Sequence, residues 1–434
     1  MNENIKGIID KFCNKEAQIA IIGLGYVGLP LAIIMAEAGF HIVGIDKDEE
    51  RIKILQSGEN LTSDIDSAQL KTVLESGKLI LSLDFIGSPD AIIICVPTPL
   101  TKHREPDISY IVEAAESIVP HLREGQLIVL ESTSYPGTTE ELIKPRIESR
   151  GLEVGKDIFL AFSPERIDPG NKKYPLQAVP KVIGGVTKNC TEVAKALYEE
   201  VIQGGVYTVS SPRVAEMTKL LENIFRNVNI ALVNELTQLC DRMGINIWEV
   251  IEAAKSKPYG FMPFYPGPGV GGHCIPIDPF YLSWKAREYG FQAHFIELAG
   301  EVNNNMPAFV VSKLSRLLNY QRQALNGSKI LLLGVAYKAD IADTRESPAL
   351  KLISLLEEEG VGVAYHDPYV PKITVNKKLY KSIYLTERVL QSMDAVVLFT
   401  NHSSFDYTFI TDHCKILLDT RNAINDSRKN VYKL

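Results

Sequence analysis

The chain has 434 residues, 45% of them apolar and 23% charged; that exceeds what one hydrophobic core usually serves, so two or three globular domains are expected. Its 46 Lys and Arg against 53 Asp and Glu leave a net charge of −7 with no basic block, which excludes a nucleic-acid or membrane-surface patch and requires locally placed cations for any anionic substrate. Six cysteines without a CxxC pair argue against a zinc framework or a disulfide scaffold, and for a reducing cytoplasm. No apolar run reaches the ~18 residues of a bilayer span, and Glu3, Asp10 and Glu16 interrupt the start of the chain, so neither a signal peptide nor a membrane helix is expected.

Residues 18–22 (QIAII) read as a strand, a helix follows as far as Gly39, and residues 41–45 complete a β-α-β unit. Between strand and helix lies a GxGxxG turn made of Gly23, Gly25 and Gly28, with Tyr26 and Val27 inside it. Such glycines permit a tight turn and bring a pyrophosphate against backbone N–H groups at the helix N-terminus. Asp46 ends the second strand, where a carboxylate accepts hydrogen bonds from ribose hydroxyls and repels a 2′-phosphate. NAD is therefore expected over NADP, although Lys47 and Arg51 nearby pull the other way.

Further apolar runs at 91–96 and 127–130 each end in a polar, proline-containing loop, as parallel strands do where their carboxyl ends build a site. Glu131-Ser132-Thr133 and Phe162-Ser163-Pro164-Glu165 follow strand ends in the same way. Glu165 is a candidate base for a hydrolytic water, set against the plain alternative of a surface carboxylate. The first domain is expected over 1–210.

Ser211 reads as an N-cap, Pro212 as the first helical residue and Gly244 as the C-cap, which predicts one helix about 48 Å long at ~1.5 Å per residue. A helix of that length joins domains and carries a subunit interface. Lys219, Asn223 and Asn227 recur every four residues along it and share a face. A lysine and an asparagine one turn apart aim an ammonium and an amide at one oxyanion; a solvated polar stripe is the plain alternative. In the Gly- and Pro-rich stretch 258–279, Cys274 is the candidate nucleophile. A thiol adds to an aldehyde, and the thiohemiacetal loses a hydride to become a thioester that water cleaves. His273 adjoins it, but adjacent loop residues often point apart, so no Cys-His pair is read; the other five cysteines read as small buried hydrophobes. The central helical domain is expected over 211–315.

At 329–333 (KILLL) the strand-helix-strand pattern restarts, with a helix over 347–359 and strands at 361–366, 395–399 and 416–418. This gives a last domain over 316–434 whose first turn lacks the full glycine fingerprint. Tyr337, Lys338 and Arg345 fill the loop after its first strand, and with Arg421 they supply the local cations an anionic substrate needs.

Taken in order from Gly23 to Arg421, these segments resemble the UDP-glucose/GDP-mannose dehydrogenase family. The resemblance implies an α/β fold of two Rossmann-like doubly wound domains joined by a long central helix. It implies NAD on the first domain, the UDP-sugar on the last, a cytoplasmic homodimer built on the central helix, and no metal. The implied reaction is a four-electron oxidation of the C6 primary alcohol to a uronic acid with two NAD and one water. By the same resemblance Cys274 is the catalytic thiol, Lys219 and Asn223 the oxyanion pair, and Glu165, Thr133 and Asp278 the groups that organise water and proton transfer. Gly23, Gly25, Tyr26, Val27, Gly28, Asp46, Arg51, Pro97, Thr98, Ser132, Thr133 and Arg345 lie along the cofactor. Glu165, Arg166, Lys219, Asn223, Tyr265, Gly267, Gly269, Gly271, Tyr337, Lys338 and Arg421 line the substrate.

Two departures turn the expectation away from glucose: Ile277 stands where glucose-oxidising members carry lysine, and Pro169 where they carry a second glutamate. Residues 163–171 (SPERIDPGN) and the stretch PYGFMPFYPGPGVGGHCIPIDPFYL are instead similar to the branch acting on N-acetylated sugars, nearest to enzymes that oxidise UDP-N-acetylglucosamine at C6. UDP-N-acetylmannosamine, UDP-N-acetylgalactosamine and UDP-glucose are the alternatives. Two other classes compete: a two-electron β-hydroxyacid dehydrogenase, which would leave Cys274 and the last domain unused, and a non-catalytic nucleotide-sugar sensor, which would leave the whole catalytic set unused.

Overall fold

A computed structural model of the protein describes residues 3–59, 65–101, 105–166, 174–272, 274–425 and 428–434. Pro169, within the SPERIDPGN segment, and His273 lie outside the described residues. The chain forms two compact units, Met1–Glu222 with Trp284–Phe291, and Asn223–Ser283 with Gln292–Leu434.

The first unit is built on an eight-stranded sheet: β1 (Gln18–Ile22), β2 (His41–Ile45), β3 (Leu79–Ser82), β4 (Ala91–Ile94), β5 (Leu127–Leu130), β6 (Phe159–Phe162), β7 (Lys181–Gly185) and β8 (Val206–Val209), in the order β3-β2-β1-β4-β5-β6-β7-β8. Every residue of β4, β5 and β6 is buried, which is why these strands read as unbroken apolar runs: helices cover both faces of a parallel sheet. The strand order turns back between β1 and β4, leaving a crevice at their carboxyl ends. The sheet departs from a purely parallel one at β6 and β7, which pair antiparallel through Ala161↔Gly185 and Phe162↔Gly184.

The second unit repeats the plan with five parallel strands: β9 (Lys329–Leu333), β10 (Gly362–His366), β13 (Ala395–Leu398), β14 (Leu417–Asp419) and β15 (Val431–Lys433), in the order β10-β9-β13-β14-β15. A hairpin of β11 (Lys372–Val375) and β12 (Lys378–Lys381) is inserted after β10. The doubly wound, Rossmann-like architecture expected from the sequence is thus present twice.

The central helix spans Pro212–Met243. Ser211 Oγ accepts the Val214 N–H at 3.4 Å, and Pro212 occupies the first turn, where a missing N–H costs nothing. At the other end Gly244 takes φ +70°, and the Ile245 N–H closes back onto Cys240 O at 2.9 Å, a Schellman turn that a side chain at Gly244 would strain. Among the described residues no helix is long and apolar enough to cross a membrane.

Candidate active site

In the first unit the three glycines of the turn do different work. Gly23 has φ +92°, and a Cβ there would stand 2.7 Å from Cys95 O; at Gly28 a Cβ would stand 1.9 Å from Gly23 O. Both are demanded by packing at the β1–β4 switch point. Gly25 is open, since a Cβ would meet only Arg51 Nη1, at 3.8 Å. The helix Gly28–Glu37 follows Val27 with no side-chain cap. An uncovered backbone at an uncapped helix N-terminus is what a pyrophosphate needs, so these residues fit NAD.

Asp46 accepts the Leu24 N–H at 2.9 Å and the Asp48 N–H at 3.0 Å, which fixes its carboxylate at the end of β2. Arg51 does not reach outward. Its Nη1 lies 3.6 Å from Asp46 and donates to Leu24 O at 3.5 Å. Pro97 and Thr98 occupy the loop after β4, and Ser132 Oγ donates to Val96 O at 2.8 Å, tying the end of β5 to that loop. Thr133 follows, part-buried.

Glu165 is not a surface carboxylate: it is 8% exposed and is gripped from two sides. Its Oε1 accepts the Arg166 N–H at 2.6 Å, and its Oε2 accepts from Lys181 Nζ at 3.1 Å. The same ammonium donates to Glu131 at 2.7 Å, and Glu131 also accepts the Tyr198 hydroxyl. Glu131 therefore faces the interior. Arg166 forks onto Glu222 at 3.2 and 2.6 Å and reaches Pro180 O at 2.9 Å. Lys219 is 8% exposed and forms no ion pair among the described residues, an unusual state for a lysine that is not a surface group.

In the second unit the side chains of Asn223 and Asp278 are joined, and Cys274 lies in the turn that leads into Asp278. Asp278 opens the helix Asp278–Ala286; its N–H donates to Cys274 O at 2.8 Å, and its carboxylate accepts from Asn223 Nδ2 at 2.5 Å. Cys274 thus stands at the N-terminus of a helix whose first carboxylate is locked to the central helix. The other cysteines differ from the expected uniform burial: Cys95, Cys190 and Cys414 are buried, Cys240 is part-buried, and Cys13 is exposed on the amphipathic helix Glu3–Cys13, which turns Ile5, Ile8 and Phe12 inward.

The glycines before Cys274 are required by protein packing. A Cβ at Gly267 would lie 2.7 Å from Arg421 Nη1, at Gly269 2.8 Å from Pro348, and at Gly271 2.7 Å from Tyr337. The Gly267 N–H donates to Asn234 at 3.0 Å, and Asn234 continues through Asn303 to Asn227, a buried chain of amides that anchors this loop to two helices. Tyr265 is stacked on Trp248 with its hydroxyl donating to Glu252 at 2.7 Å.

Arg421 donates through Nε to Phe399 O at 2.8 Å, and burial, opposed by Asp419, lowers its guanidinium to about 10, so it stays charged at neutral pH. Lys338 is half-buried in the loop after β9, whereas Arg345 folds back onto Asp343 with bonds of 3.0 and 2.6 Å. Among the described residues no cluster of three or more His, Cys, Asp or Glu could hold a metal ion. Sequence reasoning missed Lys181 and Tyr198; the available signal was a lysine opening an otherwise apolar strand.

Comparison with known proteins matches the three domains of the UDP-glucose/GDP-mannose dehydrogenase family: the NAD binding domain over residues 17–202, the central domain over 213–305 and the UDP binding domain over 331–426. UDP-N-acetyl-D-glucosamine 6-dehydrogenase of Pseudomonas aeruginosa is 39% identical over 357 residues, 82% of this chain and 84% of that protein. UDP-N-acetyl-D-mannosamine dehydrogenase of Methanocaldococcus jannaschii is 38% identical over 420 residues, 94% of this chain and 93% of the other. The solved UDP-D-ManNAc dehydrogenase of Pyrococcus horikoshii superposes with a TM-score of 0.86 at 35% identity, covering 96% of this chain and 98% of that one. The chain belongs to the UDP-glucose/GDP-mannose dehydrogenase family and is an NAD-dependent nucleotide-sugar dehydrogenase.

Proposed function

We propose that the enzyme oxidises the C6 primary alcohol of a UDP-N-acetylhexosamine, with UDP-N-acetylglucosamine as the preferred substrate, to the corresponding uronic acid. The observation that carries this reading is the bonded set Asn223–Asp278–Cys274. A cysteine in the turn that opens a helix, its carbonyl accepting the Asp278 N–H, suits nucleophilic addition to an aldehyde, because the helix dipole favours negative charge there, and the Asn223 amide is fixed on the Asp278 carboxylate at the start of the same helix.

The turn of Gly23, Gly25, Tyr26, Val27 and Gly28, with Asp46, Arg51, Pro97, Thr98, Ser132, Thr133 and Arg345, would hold NAD, which would supply the hydride acceptor, two per sugar. Lys219 and Asn223 stabilise the alkoxide and later the tetrahedral oxyanion. Cys274 sulfur bonds to the aldehyde carbon, and loss of hydride from that carbon leaves a thioester. Glu165 takes a proton from the water that cleaves it, freeing the carboxylate and the thiol, with Thr133 and Asp278 ordering the water and the amide. Arg166, Lys338 and Arg421 hold the anionic nucleotide beside Tyr265, Tyr337 and the backbone of Gly267, Gly269 and Gly271.

The work divides as NAD binding over 1–210, the central helical domain over 211–315 and UDP-sugar binding over 316–434, in a cytoplasmic homodimer. An exposed apolar stripe on the central helix supports the dimer: Leu221, Phe225, Leu232, Leu236, Leu239 and Met243 are 39–61% exposed at helical spacing.

A panel of UDP-sugars scored by NADH release tests the reading. Two NADH and one carboxylate per UDP-N-acetylglucosamine, with no carboxylate from the Cys274→Ala variant although it still binds NAD, is the expected result; one NADH with a released aldehyde or ketone from the unsubstituted enzyme overturns it. The second reading is UDP-N-acetylmannosamine, favoured by the relatives of that name that match 94% of this chain. The same panel separates the two.

A further inference from the structure

Lys181 opens β7, yet it is only 4% exposed. A lysine at a strand end ordinarily extends its stem and keeps its ammonium in water. Here the ammonium is turned inward between Glu131 at 2.7 Å and Glu165 at 3.1 Å and lies 5.4 Å over the Tyr198 ring. Desolvating such a group is unfavourable unless its partners are well placed, so the arrangement needs a reason.

We propose that Lys181 is a positioning residue for the hydrolytic half of the reaction: it holds the Glu165 carboxylate oriented toward water, and Glu131 with Tyr198 holds Lys181. This rests on the reading of Glu165 as the base. The groups facing the ammonium come from four elements: Cys95 after β4, Glu131 after β5, Glu165 after β6, and Tyr198 on the helix Lys188–Glu199. Burial first, and Glu131 second, push the Cys95 thiol and the Tyr198 hydroxyl well up, so both stay neutral and the tyrosine acts only as a donor. Burial acts against the Lys181 ammonium, but the two carboxylates outweigh it and hold its pKa above the usual lysine range.

One ammonium therefore serves two carboxylates, and their positions differ. Glu131 is 1% exposed, with its oxygens committed to Lys181 and Tyr198; Glu165 lies at the loop end of the cluster. Removing the ammonium leaves two buried carboxylates side by side, a state relieved by taking up a proton. Glu165 would then need a higher pH to act as a base.

The experiment follows NADH formation in the whole enzyme, separating the initial burst from steady turnover across pH. Lys181→Met should keep the burst of two NADH per subunit, slow steady turnover about 100-fold, and move the acid limb of the kcat profile up by about one pH unit or more. Lys181→Arg should rescue turnover to within about fivefold, and adding Glu131→Gln to Lys181→Met should return the acid limb toward its original place. Should Lys181→Met not fold, Tyr198→Phe, which loosens Lys181 through Glu131, carries the test with the same signature at about threefold. An unmoved acid limb, or burst and turnover falling together, reduces Lys181 to a structural brace and overturns the proposal. Glu165→Gln separates the two readings: full turnover in that variant removes Glu165 as the base, whereas slow turnover there with Lys181→Met unaffected removes only the role of Lys181.

Discussion

The two sheets solve the same turn with the same parts and to opposite ends. In each, a glycine ends the first strand with positive φ, +92° at Gly23 and +81° at Gly334, and donates its N–H to the end of the second strand at 2.8 Å, onto Ile45 O and His366 O. In each, a carboxylate just past that second strand caps the turn: Asp46 bonds Leu24 N, and Asp367 bonds Val335 N and Ala336 N at 2.7 and 3.2 Å. In each, a Cβ on the glycine would strike the next strand across the switch point, at Cys95 or at Thr400. The turns diverge after that. The first enters its helix at Gly28; the second runs through a long loop and enters its helix at Pro348.

Asp367 is fully enclosed. Besides the two N–H groups of the turn it accepts Tyr369 N at 2.9 Å, Val370 N at 3.0 Å and His402 Nε2 at 3.1 Å. Because His402 Nδ1 accepts the Asp340 N–H at 3.0 Å, the proton of the neutral ring sits on Nε2 and is donated to Asp367. A carboxylate so committed has nothing left for a ribose, and Ala336 is buried where Gly25 leaves its backbone open. One turn geometry thus serves a ligand in the first unit and the interior of the fold in the second, and the space between Gly334 and Pro348 is given to Tyr337, Lys338 and Arg345.

The largest expected effect comes from breaking that contrast at its buried end. Asp367→Ala leaves five donors without an acceptor and should cost about 3–5 kcal/mol, read as a thermal or denaturant midpoint shift, with NAD affinity of the folded protein unchanged. Asp46→Ala removes fewer bonds, so about 1–2 kcal/mol is expected, together with at least about a tenfold loss in NAD affinity by titration. Equal NAD effects in the two variants would sink the comparison. Gly28→Ala comes next: overpacking against Gly23 O should cost about 1–3 kcal/mol and weaken NAD binding with it.

Acid titration sharpens the same point. Burial alone would raise the Asp367 carboxyl, but the bonds from His402 and the Val335 N–H outweigh it and hold the group below the usual range. A folded pKa below the unfolded one gives stability that is present above about pH 4 and is lost as pH falls through the folded value. Melting of the wild type should therefore fall steeply below about pH 4, and Asp367→Asn should flatten that fall.

Much of this was legible beforehand, for identifiable reasons. β1 and β5 and both ends of the central helix stand where the residues put them, because an unbroken apolar run between breakers, or a Ser-Pro start with a glycine stop, is settled locally. The functions of individual side chains were less accessible, because they depend on neighbours distant in sequence. Lys181 looks like any cation opening a strand until Glu131, 50 positions earlier, is placed against it. The glycines at 267, 269 and 271 are expected along the substrate, and only the fold adds that a Cβ on each would strike Arg421, Pro348 or Tyr337. Asp367 carries the same strand-end signal as Asp46, and only His402 and the two backbone N–H groups after it reveal that it is spent internally.

The smallest expected effect is the most discriminating, because it separates room needed by the chain from room left for a ligand. A methyl on Gly25 meets nothing nearer than Arg51 Nη1 at 3.8 Å, so Gly25→Ala should leave the melting temperature within about 1 °C of wild type. The same methyl projects where the pyrophosphate must approach the backbone, so KM for NAD should rise about three- to tenfold while KM for the UDP-sugar stays put. Steady-state kinetics with each substrate varied in turn reads both values. If Gly25→Ala instead melts early with NAD binding intact, the first turn is as internally committed as the second, and the difference between Asp46 and Asp367 is one of packing alone.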